Sequence, residues 1–185
     1  MPLPFVTHKQ DSAYTSPWSF GQRVRQLLWT LAWALVCSWT PKPLNPWRLL
    51  VLRLFGARIE GTPFVHGSAR IQQPWNLHLC HRACLGECSI AYSLAAIHIG
   101  EGATVSQEAY LCTGTHDFAG YGLSLRTAPI DIGPGAFVSA RAFILPGVII
   151  GARAIVGANS TVTKDVPPND IVAGSPARSI GTRPD

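Results

Sequence analysis

Branched aliphatic residues return at every sixth position along Ile132, Val138, Ile144, Ile150, Val156 and Val162. Neither a helix nor an alternating strand repeats at that interval, so each hexapeptide predicts a short strand followed by a tight turn. Small residues recur four places after each aliphatic, at Ala103, Ala109, Ala136, Ala142, Ala154 and Ser160, with Val148 the larger exception. Three such strands of six close one triangular coil of 18 residues with its aliphatic side chains stacked inward. Gly133, Gly151 and Gly157 directly follow three of the aliphatics, which predicts backbone conformations there that other residues resist.

The upstream half keeps the rule with a decoration. Ile59, Val65 and Ile71 are followed by Leu79, Leu85 and Ala91, then by Ile99, Val105 and Leu111. From 59 to 79 and from 79 to 99 is 20 residues each, a coil plus two, and the extra pairs fall in Leu77-His78-Leu79 and Ile97-His98-Ile99, a form repeated in Ile130-Asp131-Ile132. From 99 to 132 is 33, so this coil carries about 13 further residues (33 − 20), a loop centred on 117–129 that begins directly after His116. A β-sandwich would instead show period two and irregular turn spacing. The prediction is an all-β solenoid over residues 58–180, with 181–185 as a tail.

Ahead of it the period changes. Residues 1–17 are polar and aperiodic and predict a flexible arm, or a strap along a neighbour. Residues 18–57 predict a pair of apolar helices. Arg23 and Arg25 precede an uncharged run from Leu27 to Trp39 that Pro41 and Pro43 stop, too short for a span of about 20 residues. Asn45-Pro46 opens the second helix, with Asn as cap, Pro in the first turn and Gly56 as terminator. Every solenoid needs a cap, so covering the open end of the core is the first role for this pair. Four tryptophans between 29 and 47 exceed that need and add a second: peripheral membrane contact through residues 20–55.

Composition narrows the picture further. With 185 residues, 47% of them hydrophobic, the chain is one domain with a long thin core whose flat faces suit subunit interfaces. The net charge of +5 is modest and its arginines are interleaved with Trp and Leu, which argues against nucleic acid. Cysteines 37, 80, 84, 88 and 112 are odd in number and lack the paired spacing of a structural zinc site; they read as free thiols in a reducing cytoplasm, and no metal is expected.

His116 stands at the sixth position of the Leu111 hexapeptide, where the coil turns and a side chain can leave the core. An imidazole there suits proton abstraction near neutrality, and Asp117 beside it is a candidate to orient the ring. The run Leu111-Cys112-Thr113-Gly114-Thr115-His116-Asp117-Phe118, followed by a loop and Pro129-Ile130-Asp131-Ile132-Gly133, resembles the hexapeptide O-acetyltransferases, most closely the colanic-acid-biosynthesis type. The tail from Gly157-Ala158-Asn159 through Val162-Thr163-Lys164-Asp165, with Ala173-Gly174-Ser175-Pro176-Ala177-Arg178, is similar to the cofactor-binding segment of that superfamily. Likeness extends from about Ser16 to Arg178, paired helices included.

The resemblance implies a left-handed parallel β-helix with an N-terminal helical cap and a homotrimer with active sites between subunits. It also implies acetyl-coenzyme A as co-substrate and a saccharide acceptor, free or lipid-linked, handled in the cytoplasm or at the inner face of the membrane. It makes His116 the general base, Ala140 a backbone donor near the thioester, and Ala158 part of the wall around the pantetheine arm. Thr163, Lys164 and Arg178 would hold the nucleotide and phosphate end, with Arg183 a weaker candidate. The subgroup's Asp-Asn is replaced by Ala91-Tyr92-Ser93-Leu94, leaving Tyr92 and Ser93 as stand-ins, and Phe137 stands where tryptophan is frequent. Two other readings compete. A zinc carbonic-anhydrase-like site could use His81 and His116, but no histidine from Asp117 to Ala128 supplies a third ligand. A non-catalytic membrane-docked scaffold is opposed by the intact His116, Thr163, Lys164 and Arg178.

Overall fold

A computed structural model describes residues 4–8, 10, 15–119 and 123–184. Residues 1–3, 9 and 11–14 of the predicted arm, 120–122 of the predicted loop and 185 of the tail lie outside them.

The hexapeptides wind into a left-handed parallel β-helix of three faces. The first face stacks Arg58–Ile59, Leu77–Leu79, Ile97–Ile99, Ile130–Ile132 and Ile149–Ile150 in parallel register. The second stacks Phe64–Val65, Cys84–Leu85, Thr104–Val105, Phe137–Val138, Ile155–Val156 and Asp170–Gly174. The third stacks Arg70–Ile71, Ile90–Tyr92, Tyr110–Cys112, Phe143–Ile144 and Thr161–Val162. Period-six aliphatics from Val65 to Val172 form one buried column set. Each fully buried aliphatic contributes about 1.5–3 kcal/mol of transfer free energy.

The glycines act differently from the prediction. Gly133, Gly151 and Gly157 are absent from the positive-φ positions; those at the turns include Arg82, Glu108, Arg141 and Asn159. Close stacking is what demands them: a Cβ on Gly133 would lie 2.7 Å from the backbone nitrogen of Ala152 in the next coil.

Helix α1 (Phe20–Val36) is opened by a capping box between Ser19 and Gln22, and α2 (Asn45–Leu54) follows a short 3-10 turn. Together they cap the open first coil. Its outward backbone groups would otherwise be an unpaired edge, and buried side chains satisfy them. The Trp29 indole donates to Ile71 O at 2.7 Å and the Trp33 indole to Ala69 O at 3.1 Å. Arg48, fully buried, donates to the carbonyls of Val65, Thr40, Pro41 and Lys42 and to the Thr40 hydroxyl. Burial lowers its pKa. Asn45 is not the helix cap the sequence predicts; Leu44 holds that position, and the Asn45 carboxamide clamps Val65 N and Pro63 O instead.

Two predicted boundaries shift. The excursion in the long coil begins at Gly114, not after His116, as a hairpin of Gly114–His116 and Leu125–Thr127. Within the arm, Val6–Thr7 adds a third strand to the hairpin. The final strand Ala177–Thr182 runs antiparallel on the edge of the second face, carrying the solenoid past residue 180.

Candidate active site

The hairpin places His116. Gly114 is where the chain leaves the coil: a Cβ there would meet Leu94 Cδ1 at 3.0 Å and Tyr92 Cε1 at 3.2 Å, so the strand can exit flush against the third face. His116 pairs with Leu125, its side chain exposed, and its Nδ1 lies 2.6 Å from Leu123 O. A carbonyl only accepts, so Nδ1 carries the proton and Nε2 keeps a lone pair that can take another. Leu123, at φ 43°, aims that carbonyl. Short strand Val6–Thr7, His8 N donating to Leu125 O and the Arg126 guanidinium over the Phe5 ring hold the outer hairpin strand.

Among the described residues, Asp117 makes no hydrogen bond to the imidazole. Its Oδ1 accepts from Ala119 N at 3.0 Å and its N–H donates to Ser124 O, so the carboxylate shapes the loop while the Leu123 carbonyl does the orienting. Neighbouring residues on an extended chain point to opposite sides, which separates the two groups.

The other predicted residues fall in two places. Ala140 and Ala158 occupy successive turns between the second and third faces, joined by Asn159 N donating to Ala140 O. Neither the Ala140 nor the Ala158 N–H has a partner among the described residues. Thr163 and Lys164 lie on the turn leaving the third face, the corner from which the hairpin also springs, two coils earlier. Lys164 and Arg178 come together in a cleft of about 230 Å³ at the C-terminal end, beside Asp165 and Asp170. Arg183 is not there; its guanidinium donates to Gly135 O and Arg153 O. One face of the prism therefore separates His116 from Ala140 within a single chain.

Of the two stand-ins for the missing Asp-Asn, Ser93 is buried and bonded to Gln73 through both N–H and carbonyl. Tyr92 lies beside Gly114 and heads an outward aromatic column with Tyr110 and Phe143. Burial raises the Tyr92 phenol and pushes Tyr110 up to about 12, so both remain hydrogen-bond donors at neutral pH. Phe137 is half exposed on the second face. His81 sits at the corner between first and second faces, accepting from Thr62 N, on a different corner from His116.

Sequence reasoning missed a second group: His78, Cys80 and His98 offer ligand atoms within 4.8 Å of one another. The repeated form of Leu77-His78-Leu79 and Ile97-His98-Ile99 was its signal.

The pattern "Bacterial transferase hexapeptide (six repeats)" matches residues 129–164. The Escherichia coli (strain K12) protein named "Putative colanic acid biosynthesis acetyltransferase WcaF" is 37% identical over 174 residues, 93% of this chain and 96% of its own. Among solved structures, a galactoside acetyltransferase in complex with coenzyme A superposes with a TM-score of 0.83 at 22% identity, over 92% of this chain and 86% of its own. A hexapeptide-repeat acetyltransferase of Vibrio cholerae O1 biovar eltor complexed with acetyl coenzyme A gives 0.81 at 22%, over 93% and 94%. These two share the fold. Repeat, paired helices and near full-length identity together make this chain a member of the hexapeptide-repeat acetyltransferases.

Proposed function

We propose that the protein is an acetyl-coenzyme-A-dependent O-acetyltransferase that moves an acetyl group to a saccharide hydroxyl in exopolysaccharide or related glycoconjugate assembly. The carrying observation is the exposed His116 ring, locked by the Leu123 carbonyl in the tautomer that leaves Nε2 basic. Nε2 takes the acceptor hydroxyl proton as the oxygen attacks the thioester carbonyl carbon. The Ala140 N–H donates to the oxyanion that forms, the carbon–sulfur bond breaks, and the imidazolium returns its proton to the departing thiolate. The cofactor runs past Ala140 and Ala158 on one corner and meets Thr163, Lys164 and Arg178 from the corner region of a neighbouring copy, where cations meet its phosphates. Tyr92, beside Gly114, is the residue to position the acceptor.

Because a whole face divides His116 from Ala140 in one chain, the site closes between copies, which supports a homotrimer. His116→Ala is expected to lower turnover at least about a hundredfold, with trimer and coenzyme A binding retained, in a thiol-release assay against free and lipid-linked sugars. Turnover that survives the substitution removes the base from this scheme.

The same reading places the enzyme at the cytoplasmic surface of a membrane. Its five cysteines are free thiols, as a reducing compartment keeps them. No helix among the described residues is long and apolar enough to cross a membrane. Helix α1 is apolar on both sides: Trp29 and Trp33 face the core, while Phe20, Val24, Leu27, Leu31 and Leu35 form an exposed stripe. Arg23 lies within that stretch and Arg53 in the last turn of the neighbouring α2, which favours an anionic lipid surface over a neutral one. Wild type is expected to sediment with phosphatidylglycerol vesicles and not with phosphatidylcholine, and Leu27→Glu/Leu31→Glu to stay in solution. If that variant instead breaks the oligomer, the stripe is a subunit interface and the docking idea falls.

A further inference from the structure

Three consecutive coils place nitrogen, sulfur and oxygen ligands at one point on the first face. His78 and His98 are register partners on adjacent strands, rings 4.7 Å apart, and Asp131 is the next partner in the same row. Cys80 Sγ lies 3.3 Å from His98 Nε2 and 3.9 Å from His78 Nε2. Glu60, one coil earlier, reaches His78 Nε2 at 2.9 Å. We infer that His78, Cys80 and His98, with Glu60 as fourth ligand, form a zinc(II) site that clips the first three coils together.

Chemistry and geometry both favour this over a surface ladder of hydrogen bonds. With zinc–sulfur bonds of about 2.3 Å and zinc–nitrogen bonds of about 2.0–2.1 Å, tetrahedral ligand atoms stand roughly 3.3–3.6 Å apart. The separations from Cys80 Sγ bracket that range, so small side-chain rotations close the site. Thiolate, imidazole and carboxylate suit this borderline-soft ion and not calcium or magnesium. A further sign is the carboxylate behind the ligand: His98 Nδ1 lies 2.9 Å from Asp131 Oδ1, which fixes Nε2 toward Cys80. Metal-binding histidines carry such a carboxylate on the far ring nitrogen, and an ordinary surface histidine has no need of one. His78, His98 and Asp131 stand on solenoid strands, and Glu60 and Cys80, directly after theirs, are tied to the next coil by Glu60 N donating to Leu79 O and Cys80 N to Ile99 O, so little backbone entropy opposes assembly. On binding, the Cys80 thiol proton leaves for solvent, the ring proton that His78 Nε2 shares with Glu60 is lost there and one is taken up on Nδ1 from solvent, and Nε2 turns to the ion while the carboxylate swings to the open position. The group shares no residue with the acyl-transfer site, so the two ideas stand or fall separately.

The test uses the full-length, tag-free protein, stripped with chelator and titrated with zinc against a chromophoric competitor. One zinc per chain, submicromolar affinity and a raised melting temperature are expected. Cys80→Ser and His98→Ala should each weaken binding at least tenfold, and Asp131→Asn by about 10–100-fold. Cobalt(II) gives a second readout: a thiolate-to-metal charge-transfer band that survives Cys84→Ser and Cys88→Ser and vanishes in Cys80→Ser. Circular dichroism and coenzyme A binding verify that the variants remain folded. Absence of stoichiometric zinc uptake by wild type, or uptake and a cobalt band unchanged in folded Cys80→Ser, overturns the site.

Discussion

The helix-capped end and the hairpin corner face the same difficulty, backbone that leaves the regular ladder, and resolve it in opposite ways. At the end, the buried Arg48, Trp29 and Trp33 and the half-buried Asn45 satisfy outward carbonyls and amides. At the corner the chain pairs with itself, and the one imidazole it carries outward is fixed through a single carbonyl. Burial makes the first region stable and chemically silent. Exposure with one firm anchor makes the second usable.

The sharpest blow to this contrast is Arg48→Met, which leaves the buried Val65 and Thr40 carbonyls and the Thr40 hydroxyl without their donor. At roughly 1–3 kcal/mol for each group stranded, a loss of at least about 3 kcal/mol is expected in urea denaturation, with little expected in the kinetics of whatever remains folded. Thiol labelling comes next. Cys37, behind the cap, has its pKa raised to about 11 by burial, whereas Cys88 is exposed. Iodoacetamide at neutral pH should modify Cys88 at least tenfold faster; equal rates would mean that the cap opens readily. Trp33→Phe keeps most of the apolar volume and loses the donor to Ala69, so about 1 kcal/mol is expected. Smallest is Asp117→Asn: a carboxylate that shapes the loop and does not touch the ring should change kcat less than threefold, against the roughly ten-thousandfold seen where such a group fixes the tautomer. A large fall would restore the orienting role to Asp117.

Much of the scaffold was legible because its signal is local and repeated. The six-residue step sets one aliphatic on each face, so Val65, Leu85, Val105, Val138 and Val156, one coil apart, fall in a single inward column, and the structure stacks them in that register. What the hairpin does was not legible. Its start at Gly114 depends on Tyr92 and Leu94 from a coil about 20 residues away, and its third strand comes from Val6–Thr7, over 100 residues distant. No period marks such contacts. Arg48 looked like a polar interruption of an apolar helix, since charge type alone cannot say that unpaired carbonyls wait nearby. The motif around His116 singles it out as a candidate; which carbonyl holds its ring depends on a loop fold that no local pattern encodes.

At the far end, Ala177–Thr182 folds back antiparallel along the last parallel strand, and Arg183 fastens it to Gly135 and Arg153. A stack of identical rungs is otherwise an ideal template for endless head-to-tail growth, the geometry of a fibre. With helices covering one extremity and a reversed strand lying across the second face at the other, a next molecule meets no complete matching coil at either place, which opposes such growth.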